Sequence, residues 1–139
     1  MSFQDDLKAQ LEAEKDTAEV RFLLNKNPYV LRFTQLDPWA WAEEADRHPP
    51  RPDVTLDRTF NYNMRELARA VAPRCGQLLR DGEPVEVEDW DALFTAMSPS
   101  AVNRMCDAVW ALHEAEAINA VVSASKKLRT TDAGPSKRL

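Results

Sequence analysis

Histidine, cysteine and glycine are scarce in this chain of 139 residues, and the scarcity argues against several kinds of site. Neither of the two histidines, His48 and His113, has a second histidine at ligand spacing, and Cys75 and Cys106 lie far apart, so we expect neither a metal site nor a disulfide. Three glycines leave no loop rich enough to cradle a phosphate. No convergent set of acid, base and nucleophile emerges, so we expect no enzyme and no cofactor.

Long apolar runs and an excess of positive charge are also missing. No window approaches the length of a transmembrane helix. The N-terminus has neither the basic nor the apolar region of a signal peptide. A formal charge of −5 disfavours nucleic acid as the partner, because phosphate binding needs a basic surface. We therefore expect a protein of the cytoplasm that binds neither membrane nor nucleic acid.

The charge that is present is unevenly distributed along the chain. Residues 1–19 hold six acidic residues and two lysines, whereas residues 126–139 hold five basic residues and one aspartate. The stretch TTDAGPSKRL has too few apolar residues to offset the entropy of ordering it. We therefore predict a basic, disordered tail over residues 126–139. A tail that is simply solvated is a simpler interpretation than a tail that binds nucleic acid.

Apolar periodicity predicts a helix and then a hairpin at the N-terminal end. Phe3, Leu7 and Leu11 recur every four residues, which is typical of one face of a helix over residues 2–18. Apolar residues alternate over 20–24, and a second β-branched and aromatic run contains Val30 and Phe33. With the turn residues Asn25-Lys26-Asn27-Pro28 between them, the two runs predict a small β-hairpin.

The remaining chain reads as helical. Caps and apolar stripes predict helices from Pro38 to Arg47, from Met64 to about Ala72, from about Glu88 to Met97, and from Pro99 to Ile118 or Leu128. The segments between them read as an extended loop and a connector with a turn at Asp81-Gly82. The expected fold is a mainly α domain with a short N-terminal β-hairpin, divided into an acidic helix (1–19), a helical domain (20–125) and the tail (126–139).

Six apolar residues are candidates for a partner-binding surface. The thin, acid-flanked stripe of the first helix favours a mobile or partner-binding segment. Trp39 and Trp41 cannot share a helix face, so one of them is free for another role. Trp39 either packs on the hairpin or chain terminus or belongs to an interaction surface, where tryptophan is enriched. A stripe at helical spacing is more often core than interface. Met105 and Trp110 on the last helix are therefore more often expected in the core than on a partner-binding surface. The candidates are Phe3, Leu7, Leu11, Trp39, Met105 and Trp110.

An ordered set of motifs spans about residues 30–130. It comprises Trp41, His48-Pro49-Pro50, Phe60-Asn61, Glu88-Asp89-Trp90, Leu93 with Phe94, a Ser98-Pro99 helix cap and a final helix before a tail rich in serine, alanine and lysine. This ordered set resembles the tail assembly chaperones of long-tailed, siphovirus-like bacteriophages that infect actinobacteria. Two features depart from the family pattern. Glu44 replaces a frequently apolar residue, and the longer APRCGQLLRDGEP replaces a Glu-Pro turn.

The resemblance implies a non-enzymatic role in virion assembly. Such chaperones bind the long hydrophobic, helical tape measure protein, keep it soluble and extended, and help to recruit tail tube subunits. The family often makes a longer product by a programmed ribosomal frameshift, through which the tail tube protein would be contacted. The resemblance places the protein in the host cell cytoplasm and outside the mature virion, and it leaves self-association open.

Two other interpretations compete with the chaperone. A tail-completion or head–tail connector protein would be a structural component of the virion and would be found in purified particles. A helical transcriptional regulator would need a basic recognition helix, and the helix over residues 99–118 carries only Arg104.

Overall fold

The computed structural model describes the backbone of residues 2–132 and the side chains of residues 2–116. Within that range the chain forms six helices and one four-stranded antiparallel sheet, an α+β fold. The prediction of a mainly α domain with only a short hairpin is therefore wrong. The elements are α1 (Phe3–Glu12), β1 (Thr17–Leu24), β2 (Asn27–Thr34), α2 (Pro38–Asp46), α3 (Thr55–Phe60), α4 (Met64–Cys75), β3 (Gly76–Arg80), β4 (Glu83–Val85), α5 (Trp90–Ala96) and α6 (Pro99–Asp132).

The predicted first hairpin is confirmed. Strands β1 and β2 pair over their whole length, with Val20 opposite Leu31. Asn25 and Lys26 form the two-residue turn, and both have positive φ, 48° and 67°. Such left-handed residues match the twist of the flanking strands, and asparagine tolerates this conformation better than most residues. The alternation of the sequence is thus reproduced as a buried face and an exposed face.

The predicted connector before the fifth helix is in fact a second hairpin. Strand β3 pairs with β2, bringing Leu78 opposite Leu31, and β4 pairs with β3 beyond a turn at Asp81 and Gly82. Both turn residues have positive φ, 52° and 79°. The turn was visible in the sequence, but the strands were not, because they are only five and three residues long.

Helix α4 runs directly into β3 at Gly76, where no side chain fits. A Cβ at this position would lie 2.6 Å from the Ala72 carbonyl oxygen and 2.8 Å from Cε1 of the buried Phe33. The glycine therefore lets the helix end pack against β2 while the chain turns into the sheet.

The hydrophobic core lies between one face of the sheet and the helices α4 and α6. Helix α6 packs against both α4 and β1, and α2 packs against α4. The opposite face of the sheet carries the exposed charges Glu19, Arg21 and Arg32. The largest fully buried side chains are Leu31, Phe33, Asp57, Leu67, Val71, Met105 and Val109.

Several helix boundaries differ from those predicted. Helix α1 ends at Glu12 and β1 begins at Thr17, inside the segment that we had assigned to the first helix. Helix α4 continues past Pro73 to Cys75. Helix α6 extends to Asp132, so residues 126–132 of the predicted tail are helical, whereas residues 133–139 lie outside the described residues.

The buried Asp57 organises the long connection between α2 and α4. Its carboxylate accepts two side-chain hydrogen bonds from Arg51, at 2.8 and 3.1 Å, and the backbone N–H groups of Arg51 and Met64 also donate to it. The arginine and these hydrogen bonds hold the pKa of Asp57 below its ordinary value of 3.8. Helix α3 lies within this connection, in a stretch predicted as extended loop.

Candidate partner-binding surface

Helix α1 has no buried residue, although it carries three large apolar side chains. Phe3 is 72% exposed and Leu11 is 77% exposed, and Leu7 lies between them on the same face. Ser2 and Asp5 form a reciprocal capping box at its start. A helix of ten residues is marginal in water without tertiary contacts. A partner that covers this apolar stripe would therefore also stabilise the helix.

The two neighbouring tryptophans of α2 point in different directions. The Asp37 carboxylate accepts the N–H groups of Trp39 and Ala40, each at 3.1 Å, and Pro38 occupies the first helical turn. This confirms the predicted helix start and fixes the helix phase. Trp41 then enters the core at 8% exposure, while Trp39 is 77% exposed. The interpretation that Trp39 packs on the hairpin or terminus is wrong.

An open groove of about 700 Å³ lies beside these residues. Its walls are the segment after α1 (13–16), the segment before and at the start of α2 (35–38), and residues 112–116 of α6. Leu11 and Pro38 line it, which places the end of the α1 stripe near the residue that precedes Trp39. Five acidic residues and Lys15 also line it; the acids are Glu14, Asp16, Asp37, Glu114 and Glu116. We call it the acidic groove.

One wall of the acidic groove is fixed by His113. Its Nε2 accepts the Leu36 N–H at 2.9 Å, and its Nδ1 lies 2.7 Å from the Val109 carbonyl oxygen, to which it donates. Burial lowers the pKa of His113 below the ordinary 6.5, so the neutral ring is the form present at neutral pH. Gln35 adds a further bond by donating to the Leu112 carbonyl oxygen at 3.3 Å.

Helix α6 bends next to this histidine. Glu114 has the non-helical backbone angles φ −116° and ψ 18°. Its carboxylate accepts the indole N–H of Trp41 at 2.7 Å. The bend therefore coincides with a side-chain bond that ties α6 to the buried tryptophan of α2.

The two candidates on α6 do not belong to an exposed surface. Met105 is 2% exposed and lies in the core, so its assignment as a partner-binding residue is corrected. Trp110 is half-buried; its indole N–H donates to the Tyr62 hydroxyl oxygen at 3.1 Å, and its ring packs edge-on against Phe60. The stripe faces the sheet and α4, which confirms the interpretation of it as core.

Glu44, which differs from the pattern of the chaperones that the sequence resembles, is buried beside basic side chains. Its side chain is 10% exposed. Arg74 of α4 donates to its carboxylate at 3.0 Å, Arg47 donates to the same oxygen, and His48 lies 3.6 Å away. A buried carboxylate needs such partners. Sequence reasoning missed this cluster because Arg74 is thirty residues away along the chain.

The described residues show no arrangement suited to catalysis by a thiol. Cys75 and Cys106 are half-buried and unbonded. Burial raises the pKa of Cys75 to about 11 and raises that of Cys106 as well, so both thiols stay protonated at neutral pH. Both ring nitrogens of His113 are held by backbone groups.

Over the residues that the structure describes, His, Cys, Asp and Glu side chains form no group of three that could hold a metal ion. No described helix combines the length and hydrophobicity needed to cross a bilayer.

Comparisons with known proteins identify no relative of this chain. No protein-family model, no curated protein and no solved structure matches the chain. The functional argument therefore rests on the exposed apolar residues and on the resemblance carried by the sequence motifs.

Proposed function

We propose that the protein is a tail assembly chaperone of a long-tailed bacteriophage that infects actinobacteria. It binds the tape measure protein in the host cytoplasm, keeps it soluble and extended, and leaves before the virion matures. Recruitment of tail tube subunits, through a longer frameshift product, belongs to the same proposal. The observation that carries it is the apolar stripe of α1, in which no residue is buried although its helix is formed and capped.

The stripe has the geometry needed to bind another helix. Phe3, Leu7 and Leu11 form one ridge, which suits packing against the apolar face of an amphipathic helix. Burying each of these side chains, or Trp39, contributes roughly 1.5–3 kcal/mol before the costs of association. Because the ridge ends at the acidic groove, the surface favours a helix whose apolar face is flanked by basic residues.

Co-expression with the tape measure protein tests the proposal. We expect that protein to be soluble, and to co-purify with this chain, only when both are present. Phe3→Ala and Trp39→Ala should each reduce the amount recovered. Leu56→Ala is the matched control, because Leu56 is also exposed, at 47%, but lies on α3.

Two outcomes would contradict the proposal. Insoluble tape measure protein with no complex would remove its basis. Detection of this chain at a fixed copy number in purified virions, by mass spectrometry, would instead indicate a tail-completion or head–tail connector component.

A further inference from the structure

Strand β1 is an edge of the sheet, and its backbone geometry shows which groups are free. The Asp16 carbonyl oxygen accepts the Gln35 N–H at 3.1 Å, one pair beyond Thr17 opposite Thr34. In an antiparallel ladder, bonded and non-bonded pairs alternate. The even-numbered residues therefore bond to β2, and the odd-numbered ones turn their N–H and C=O groups to the open edge.

One side-chain contact supports this assignment. The Arg21 carbonyl oxygen accepts a bond at 2.7 Å from Nη1 of Arg104, a residue of α6 and not of β2. The outward-facing groups of Thr17, Glu19 and Leu23 have no hydrogen-bond partner in the described part of the chain. An edge with unpaired groups is a template for another strand.

The side chains along this edge are self-complementary. Glu19 and Arg21 flank Val20 along the strand and lie on the exposed face of the sheet, whereas Val20 lies on the buried face. If a second β1 lies antiparallel with Val20 opposite Val20, Glu19 of each copy faces Arg21 of the other. In the same register Thr17 faces Leu23, and the facing odd-numbered residues are those whose backbone groups point to the open edge. Opposite charges directly across strands stabilise a sheet.

We propose that two copies of the protein pair through β1, antiparallel about Val20, to form one continuous sheet. The Arg104 contact is compatible with this pairing, because a carbonyl oxygen has two lone pairs and can accept a second bond. The inference concerns a second copy of this chain and does not depend on the proposed chaperone function.

The charges also select the register. The two neighbouring registers that keep the free backbone groups opposed place Glu19 against Glu19 or Arg21 against Arg21. Like charges at those positions destabilise the pairing. Within each copy, Arg32 donates to the Glu19 carboxylate at 2.8 Å. In the proposed register Glu19 would therefore lie between two arginines, one from each copy.

Sedimentation equilibrium with charge-reversal variants tests the proposal. All variants carry Arg32→Ala, which removes the ion pair within the chain and serves as the reference. Relative to that reference, Arg21→Glu or Glu19→Arg alone should weaken dimerisation at least about tenfold, because each places like charges opposite one another. The double variant Glu19→Arg/Arg21→Glu restores opposite charges and should recover the reference affinity.

Hydrogen exchange gives a second readout at the same edge. The segment over residues 17–24 should exchange more slowly as protein concentration rises, and Arg21→Glu should shift that dependence to protein concentrations at least about tenfold higher. A chain that is monomeric at all accessible concentrations would overturn the proposal. So would a dimer that Arg21→Glu leaves unchanged, because such a dimer would use another surface.

Discussion

The imidazole of His113 lies flat against the indole of Trp41, with ring centroids 4.2 Å apart and ring planes within 3° of parallel. The stack joins α6 to α2, and the same histidine holds the backbone of Leu36 between them. With the proton on Nδ1, the neutral ring satisfies both the Val109 carbonyl and the Leu36 N–H. His113 therefore fixes the inner wall of the acidic groove in two ways, by stacking on Trp41 and by its hydrogen bond to the Leu36 N–H.

Replacing this histidine by phenylalanine should separate the two interactions. His113→Phe retains an aromatic ring beside Trp41 but leaves the Leu36 N–H without an acceptor. An unsatisfied buried donor costs about 1–3 kcal/mol, and because this N–H is only partly buried we expect a loss of about 1 kcal/mol in urea unfolding at neutral pH. Stability equal to that of the wild type would mean that the hydrogen bond contributes little.

The same residue predicts a dependence of stability on pH. Because burial lowers its pKa, the unfolded chain takes up the proton first as pH falls. His113 should therefore reduce stability as pH drops below about 6.5, until the folded-state pKa is reached. The wild type should lose more unfolding free energy than His113→Phe between about pH 7 and 5.5. Equal losses in both proteins would contradict the assignment.

Removing the carboxylate of Asp57 should destabilise the α2–α4 connection. Asp57→Ala leaves the N–H groups of Arg51 and Met64 without their acceptor, at a cost of about 2–4 kcal/mol in urea unfolding. The lowered pKa means that this stabilisation is complete above about pH 4 and is lost as the carboxylate is protonated at lower pH. Asp53→Ala, an exposed neighbour, is the control and should change stability by less than about 0.5 kcal/mol.

A methyl group at Gly76 should disturb the junction of α4 and the sheet. Gly76→Ala forces a shift of either the Ala72 backbone or the buried Phe33 ring, which costs about 1–3 kcal/mol. Gln77→Ala, at the exposed neighbouring position, should be nearly neutral. Thermal unfolding of the two variants measures the difference, and similar melting temperatures would show that the junction can relax.

The two tryptophans of α2 should respond in opposite ways to truncation. Trp41→Ala opens a cavity in the core and should cost about 3–5 kcal/mol. Trp39→Ala should change stability by less than about 0.5 kcal/mol, because its side chain is exposed. Trp39→Phe should also remove most of the fluorescence that iodide quenches. Large destabilisation by Trp39→Ala would mean that this side chain has a structural role.

The successes of the sequence analysis came from local chemistry. The turn at Asn25-Lys26, the Asp37 and Asn63 caps and the Ser98-Pro99 start each depend on residues within a few positions of one another. Such contacts can be predicted from a short window. The α1 stripe is exposed, which agrees with the expectation drawn from its thin apolar face and the acidic residues beside it.

The failures have a non-local cause. Strand β3 is a strand because β2, more than forty residues earlier, offers it an edge; its own five residues carry little preference. Met105 stays among the partner-binding candidates of the sequence, although core is the favoured interpretation, because its stripe has no marker that distinguishes core from interface. Arg74 reaches Glu44 only once α2 and α4 have packed.

The separation of β2 from β3 along the chain also determines when the core can form during synthesis on the ribosome. The first hairpin is local and can form early, but the helices and the strand that cover its apolar face are synthesised later. Until residues of α4, β3 and α6 are available, Val20, Phe22, Leu31 and Phe33 face solvent. Synthesis of most of the domain must therefore precede burial of its earliest strands, and during that interval the nascent chain is most prone to aggregation.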